Sequence, residues 1–254
     1  MKKVYERNNI AFDMPSPYCP GCGHGVIHRL VIDAIKENRQ EDNTIFMAPV
    51  GCSILAYTYL DLDVCQPAHG RTPAAATGIK RALPDSLVIL YQGDGDLAAI
   101  GTAEIIHAAN RGENITAIFV NNAIYGMTGG QMAPTTLEGQ TATTCPYGRN
   151  PKDGQGYPIR VCELLQSLGG VTYAARTSVH SAPNVLKTKK AIQTGIENQM
   201  AKKGFSIIEI LSACPVNWGM TPEKANQFVA NEMIDYYPLG DFKKDGKIIQ
   251  RSDH

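Results

Sequence analysis

LVILYQGDGDLAAIGTAEIIHAANRGENITAIFVNN, residues 87–122, holds two apolar runs with a helix-like segment between them. Leu87 to Tyr91 leads into Gly93-Asp94-Gly95-Asp96, and Ile115 to Val120 leads into Asn121-Asn122. Short continuous apolar runs bounded by such punctuation read as strands buried on both faces, and Leu97 to Arg111 reads as the crossover helix. Strands joined in this way are parallel, so both polar tips fall at the carboxyl edge of one sheet, where open α/β sheets hold ligands.

Outward from this unit the same reading continues. A helix is expected from about Val26 to Glu37, closed by Asn38, and a strand over Thr44 to Val50 that stops at Gly51-Cys52-Ser53. The small residues Ala74 to Gly78 begin a closely packed helix reaching about Leu83. Helix Val161 to Leu168, strand Val171 to Thr177, helix Pro183 to Lys203 and strand Phe205 to Leu211 follow. Tyr125 to Ile159 is rich in Gly, Thr, Pro and Gln without periodicity, and a loop that long inside a compact domain is usually functional. Neither a repeat nor a domain boundary interrupts the pattern. The expectation is α/β: a single doubly wound parallel sheet, with an irregular leader (about 1–22) and a helical tail (about 221–254) ending in a Lys- and Asp-rich surface segment.

At 254 residues, 43% apolar and 19% charged, the chain describes an ordinary soluble core. Zero net charge points to neither nucleic acid nor an anionic membrane as partner. No apolar run approaches the length of a membrane span, and Met1-Lys2-Lys3 has no apolar stretch behind it, so a cytoplasmic protein is expected. Seven cysteines suit no disulfide framework, and Cys19-Pro20-Gly21-Cys22 has a spacing that points to metal or redox chemistry.

The polar tips carry the first chemistry. Gly93-Asp94-Gly95-Asp96 is not a dinucleotide fingerprint, because Gly-x-Gly-x-x-Gly is missing and an acidic residue would repel a pyrophosphate unless a cation stood between them. A carboxylate (Asp94) and an amide oxygen (Asn122) at adjacent strand ends, among glycines that admit close backbone approach, suit an oxygen-ligated Mg²⁺ holding a diphosphate.

Gly-Asp-Gly followed after about thirty residues by Asn-Asn resembles the thiamine diphosphate motif. Tyr125-Gly126-Met127-Thr128-Gly129-Gly130-Gln131, Cys19-Pro20-Gly21-Cys22-Gly23-His24, His69-Gly70-Arg71 and Cys214-Pro215 narrow the resemblance to the β subunit of the 2-oxoacid:ferredoxin oxidoreductases, over about residues 18–220. The branched-chain (2-ketoisovalerate) branch is the most similar. The resemblance implies Mg²⁺ ligation by Asp94, Asn122 and the carbonyl of Ile124. It implies that Gly93, Gly95, Asp96, Gly126, Met127 and Thr128 line the diphosphate, with Val50, Gly51, Cys52, Ser53 and His24 near the thiazolium or pyrimidine end. Many family members carry an acidic residue where His24 stands, and His24 could equally cap the helix beside it. Cys19, Cys22, Cys52 and Cys214 align with the ligands of a [4Fe–4S] cluster. Four thiolates suit either zinc or a cluster, and spacing alone does not separate them. Cys65, Cys145 and Cys162 read as small apolar residues. His69 or Arg71 faces substrate or cofactor, or else forms an ordinary loop hydrogen bond and ion pair.

The implied reaction is oxidative decarboxylation of a 2-oxoacid to an acyl-CoA and CO₂, with electrons passing through the cluster to ferredoxin. The glutamate that thiamine activation needs has no candidate in these motifs, since Glu104 lies inside a helix and reads as structural. A partner α subunit is implied to supply it, with γ and ferredoxin-like δ subunits or domains completing the complex. Cys52 to Tyr59 and Tyr125 to Gln131 contain no Lys or Arg, which favours an apolar 2-oxoacid such as 2-ketoisovalerate, then pyruvate, over a dicarboxylate. Two rivals stand beside this reading: a non-oxidative thiamine decarboxylase or carboligase subunit with structural zinc, and a metal-stapled scaffold without catalysis.

Overall fold

The computed structural model describes residues 8–250; the Met1-Lys2-Lys3 start and the extreme ends of the leader and tail lie outside the described residues. Eight strands form one sheet: β1 (Thr44–Met47), β2 (Asp63–Cys65), β3 (Leu87–Gly93), β4 (Thr116–Asn121), β5 (Val171–Ser178), β6 (Phe205–Leu211), β7 (Gly240–Lys244) and β8 (Lys247–Ile248). Their order is β2-β1-β3-β4-β6-β5-β7-β8. Strands β1 to β6 pair in parallel, while β7 runs antiparallel to β5.

Alternate strand residues enter opposite cores, as a period of two requires. Leu87, Ile89 and Tyr91 join one apolar cluster with residues of α1 (His24–Glu37) and α5 (Ala182–Met200). Val88 and Leu90 join the other, with residues of α2 (Thr72–Ala82), α3 (Thr102–Asn110) and α4 (Val161–Gln166). The sheet is therefore covered on both faces, which is why its central strands read as unbroken apolar runs. After β1 the chain turns toward β2, and after β3 toward β4. The carboxyl ends of β1 and β3 thus flank the switch point where such folds leave a crevice.

Three expectations need correction. Strand β1 stops at Met47 rather than Val50; Pro49 brings no N–H, Gly51 sits at φ 117°, and a 3₁₀ turn over Cys52–Thr58 follows. The segment after Asp94 starts earlier than Leu97, as a π turn over Gly95–Ile100 in which Gly101 N–H reaches back to the Asp96 carbonyl (2.9 Å). The tail is helical over α7 (Pro222–Phe228) and α8 (Ile234–Tyr236) and then returns as the β7–β8 hairpin, so the sheet is mixed rather than wholly parallel. Asp245 and Gly246 form its turn with φ of 48° and 74°, the mirror-image geometry that Asp-Gly favours in two-residue hairpins.

Candidate functional site

A cleft of about 180 Å³ opens at that switch point. It is lined by His24, Val50 to Ser53, His69, Gly93 to Asp96, Asn122, Ile124 and Tyr125 to Thr128, together with Ile100, which the sequence did not single out. Lys and Arg are missing from the lining.

Asp94 is buried, and among the described residues its hydrogen-bond partners are neutral. Gly95 N–H donates to Oδ1 (3.0 Å), while Ile124 N–H (3.1 Å) and Thr135 Oγ1 (3.0 Å) donate to Oδ2. Burial pushes its pKa up to about 7 against those hydrogen bonds. The Asn122 side-chain oxygen faces the Ile124 carbonyl oxygen at 2.7 Å and Asp94 Oδ2 at 3.1 Å. Three oxygens so close repel unless the amide turns over and donates to both, or a cation sits among them. An all-oxygen set beside a buried carboxylate without a cationic partner fits Mg²⁺.

The turn that carries these oxygens is fixed from below. Asn121 Nδ2 donates to Glu209 Oε1 (2.8 Å), and its Oδ1 accepts from Ala123 N–H (3.1 Å), holding Ala123 at φ 55°. Glu209 is itself paired with Arg176 (2.9 Å), and both are fully buried. Of the two asparagines, one builds the turn and the other faces the cleft.

Asp96 lines the cleft, but its carboxylate turns to the loop before α2. It accepts from His69 Nδ1 (2.7 Å), Gly70 N–H (2.6 Å), Thr72 Oγ1 (3.0 Å) and Gln92 Nε2 (2.7 Å). The carboxylate is thus turned toward His69 and the start of α2, while the residue itself stays in the wall of the cleft. Gly70 is at φ +79°, and a Cβ there would stand 2.8 Å from Gly101 N, so this approach requires glycine. Asp96→Asn is expected to cost about 1–3 kcal/mol by leaving donors facing a donor. Urea unfolding checks that cost, and the His69 ring resonances should broaden or shift in the same variant. Arg71 is not among the lining residues; it is ion-paired to Glu104.

His24 is buried, with Nδ1 2.7 Å from Tyr91 Oη and its ring stacked on Tyr18. Burial lowers its pKa to about 4, so it meets the cleft neutral. No capping hydrogen bond to α1 comes from a side chain at its start.

The leader returns to the sheet edge through Gly23 N–H, which donates to the Ala213 carbonyl beside Cys214 (3.4 Å). Cys52 Sγ lies 3.3 Å from where a Cβ on Gly126 would stand, at the wall of the cleft. Burial pushes the Cys22 thiol up to about 12 and the Cys52 thiol to about 11; Cys214 and Cys19 add to both shifts by repulsion between thiolates. Among the described residues, no three His, Cys, Asp or Glu side chains converge tightly enough to hold a single metal ion. Cys19, Cys22, Cys52 and Cys214 lie in mutual electrostatic reach, a donor set that suits either zinc or an iron–sulfur cluster. Cys145 and Cys162 are buried and Cys65 half-buried, and Cys145 packs in the same small apolar cluster as Cys214.

The loop over 125–159 is built around a residue that sequence reading missed. Arg149, buried, donates to the carbonyls of Ala133, Pro134, Thr136, Gln155, Gly156 and Tyr157. Only its position amid a polar, Gly-rich stretch could have marked it.

Comparison with known proteins agrees with this geometry. Residues 49–210 match the family described as "Thiamine pyrophosphate enzyme, C-terminal TPP binding domain". The chain is 45% identical over 240 residues to ketoisovalerate oxidoreductase subunit VorA of Methanothermobacter thermautotrophicus, covering 94% of this chain and 50% of that protein. It is 42% identical over 210 residues to 2-oxoglutarate synthase subunit KorB of Methanocaldococcus jannaschii, covering 81% of this chain and 72% of KorB. The 2-oxoglutarate:ferredoxin oxidoreductase from Magnetococcus marinus, solved with 2-oxoglutarate, coenzyme A and succinyl-CoA bound, superposes with a TM-score of 0.73 at 28% identity over 92% of this chain and 83% of that one. The chain spans about half the length of the ketoisovalerate relatives it matches. Among the described residues, no helix is long and apolar enough to cross a membrane.

Proposed function

The chain belongs to the thiamine diphosphate-binding β subunits of the 2-oxoacid:ferredoxin oxidoreductases, and on that premise we propose that it holds the diphosphate half of an active site for oxidative decarboxylation of a 2-oxoacid to an acyl-CoA. The observation that carries the oxidative reading is the contact between Cys52 Sγ and the Gly126 position, which sets the cysteine group against the diphosphate turn.

When bound, thiamine diphosphate supplies a nucleophilic carbon for the keto group and an electron sink for the loss of CO₂, and a [4Fe–4S] cluster supplies a one-electron acceptor. The chain's own residues do the holding. Asp94, Asn122 and the Ile124 carbonyl bind Mg²⁺, and Gly95 and Gly126 to Thr128 pass close to the diphosphate. Cys19, Cys22, Cys52 and Cys214 hold the cluster. His24, neutral, offers a hydrogen-bonding edge to the ring end of the cofactor. Asp96 accepts the Nδ1 proton of His69 and so leaves Nε2 to face the substrate side.

Val50, Ile100 and Met127, at the cleft, and nearby Tyr57 all expose apolar surface. Such a rim suits cover by an α subunit that brings the activating glutamate and closes the site against water. The reading extends to γ and ferredoxin-like δ components, to ferredoxin as acceptor and to a cytoplasmic location. Identity to VorA and a lining without Lys or Arg both favour a branched-chain substrate, with pyruvate next.

Anaerobic purification of the complex, iron and zinc analysis, and kcat/KM for 2-ketoisovalerate, pyruvate and 2-oxoglutarate with coenzyme A and ferredoxin test the proposal. Four irons per copy of this chain beyond those of the ferredoxin-like component, and a preference for 2-ketoisovalerate, are expected. Stoichiometric zinc in place of those four irons would sink the oxidative mechanism, and a preference for 2-oxoglutarate would overturn the substrate assignment.

A further inference from the structure

Asn217, in the short helix α6 (Pro215–Trp218), stands between the two halves of the site without lining the cleft. Its Nδ2 donates to the Gly126 carbonyl (3.0 Å) and to Cys214 Sγ (3.4 Å). Its backbone N–H also donates to the Cys214 sulfur. Its Oδ1 lies 3.3 Å from where a Cβ on Gly130 would stand, so the 125–130 turn closes around this one amide. A single side chain thereby hydrogen-bonds a sulfur assigned to the electron acceptor and the backbone assigned to the diphosphate.

We propose that Asn217 is a positioning residue for electron transfer: clamped by the Gly126 carbonyl, its amide aims an N–H at the Cys214 sulfur and holds the cluster's potential up. The inference rests on the cluster assignment above. Reduction places an added electron on the iron–sulfur core and increases charge on the ligating sulfurs. A donor aimed at one of them stabilises the reduced form more than the oxidised form, which raises the potential. A cluster held by the four cysteines would supply a one-electron acceptor, so the two electrons released per 2-oxoacid oxidised would leave one at a time, each to ferredoxin. Because the same amide grips the cofactor turn, cluster potential and turn position are set together.

The test is an anaerobic redox titration of the full complex, followed by electron paramagnetic resonance, on wild type, Asn217→Leu and Asn217→Asp. Leucine keeps the volume and removes the side-chain donors, whereas aspartate keeps the shape and replaces a donor with an anion. Both variants are expected to retain iron and to titrate at more negative potential than wild type, aspartate further than leucine. Wild-type potential in both variants at full iron content would overturn the inference alone. Loss of iron from both would also overturn it, since a residue that only aims a donor is not needed to retain the cluster. A wild-type complex with no iron beyond that of its ferredoxin-like component would overturn the cluster assignment and this inference with it, so iron analysis of the wild type tells the two failures apart.

Discussion

Asp94→Asn is expected to weaken Mg²⁺-dependent binding of thiamine diphosphate by at least about 100-fold, while leaving the cation-free fold as stable as wild type or more so at neutral pH. The two signs come from one observation. Asp94 is buried among neutral donors, so its charge has nothing to balance it until a cation arrives. Asparagine keeps the size but removes the charge that a hard cation needs. In the cation-free protein the native carboxyl keeps its proton up to about pH 7, whereas the unfolded chain releases it near about pH 4. Between those values the native state binds more protons than the unfolded one. Stability accordingly falls as pH rises through that window, by at most about 4 kcal/mol from this residue. Urea unfolding in EDTA from pH 4 to 8 should show the fall in wild type and not in the variant. Saturating Mg²⁺ and thiamine diphosphate should also remove it from wild type, because the cation then favours the charged form. A fall of equal size in Asp94→Asn would falsify the assignment to this residue.

Arg149→Met should abolish cofactor binding from the opposite side of the cleft. One guanidinium gathers six backbone carbonyls of the 125–159 loop, and no methionine atom can donate to any of them. Each buried carbonyl left without a donor costs on the order of 1 kcal/mol or more, so a loss of about 3–5 kcal/mol is expected even after some admit water. The loop also supplies Thr135 Oγ1 to Asp94 and Thr136 Oγ1 to the Ala123 carbonyl (2.7 Å), so its loosening reaches the cation site directly. Lysine should rescue little, since three donors on a point charge cannot span carbonyls spread over a fork. Thermal unfolding and limited proteolysis within 133–157 would check this. A variant that resists proteolysis and binds cofactor like wild type would show that the loop is held by something else.

The central βαβ unit was legible because both faces of its strands are covered, so burial alone wrote an apolar run on each. The switch-point cleft was legible for a related reason: its oxygens stand at strand ends marked by Gly93, Gly95 and Asn121-Asn122. What escaped has physical causes. The three residues of β2 are half exposed and carry no run to read. In the β7–β8 hairpin only Phe242 and Lys243 are buried, and Lys243 hides its ammonium by donating to the Leu168 carbonyl (2.7 Å). The Asp245-Gly246 pair was the available signal, masked by the charge around it. Arg149 and Asn217 act through carbonyls and a sulfur distant in sequence or scattered along a loop, and no local pattern encodes those partners. Asp96 shows the limit of a motif, because sharing a loop with Asp94 did not make its carboxylate face the same way.

The two ends of the sheet have a consequence for how this subunit lives with others. One margin is the three-residue β2, and the other is the two-residue β8, flanked by Lys244 and Lys247. Neither offers enough free backbone for a foreign chain to stitch on a further strand. Among the described residues, the sheet edges thus leave side chains, not added strands, as the means by which a partner would meet this chain. A partner that meets the chain in that manner adds no strand to its sheet, so the sheet's hydrogen-bond ladder closes within this chain.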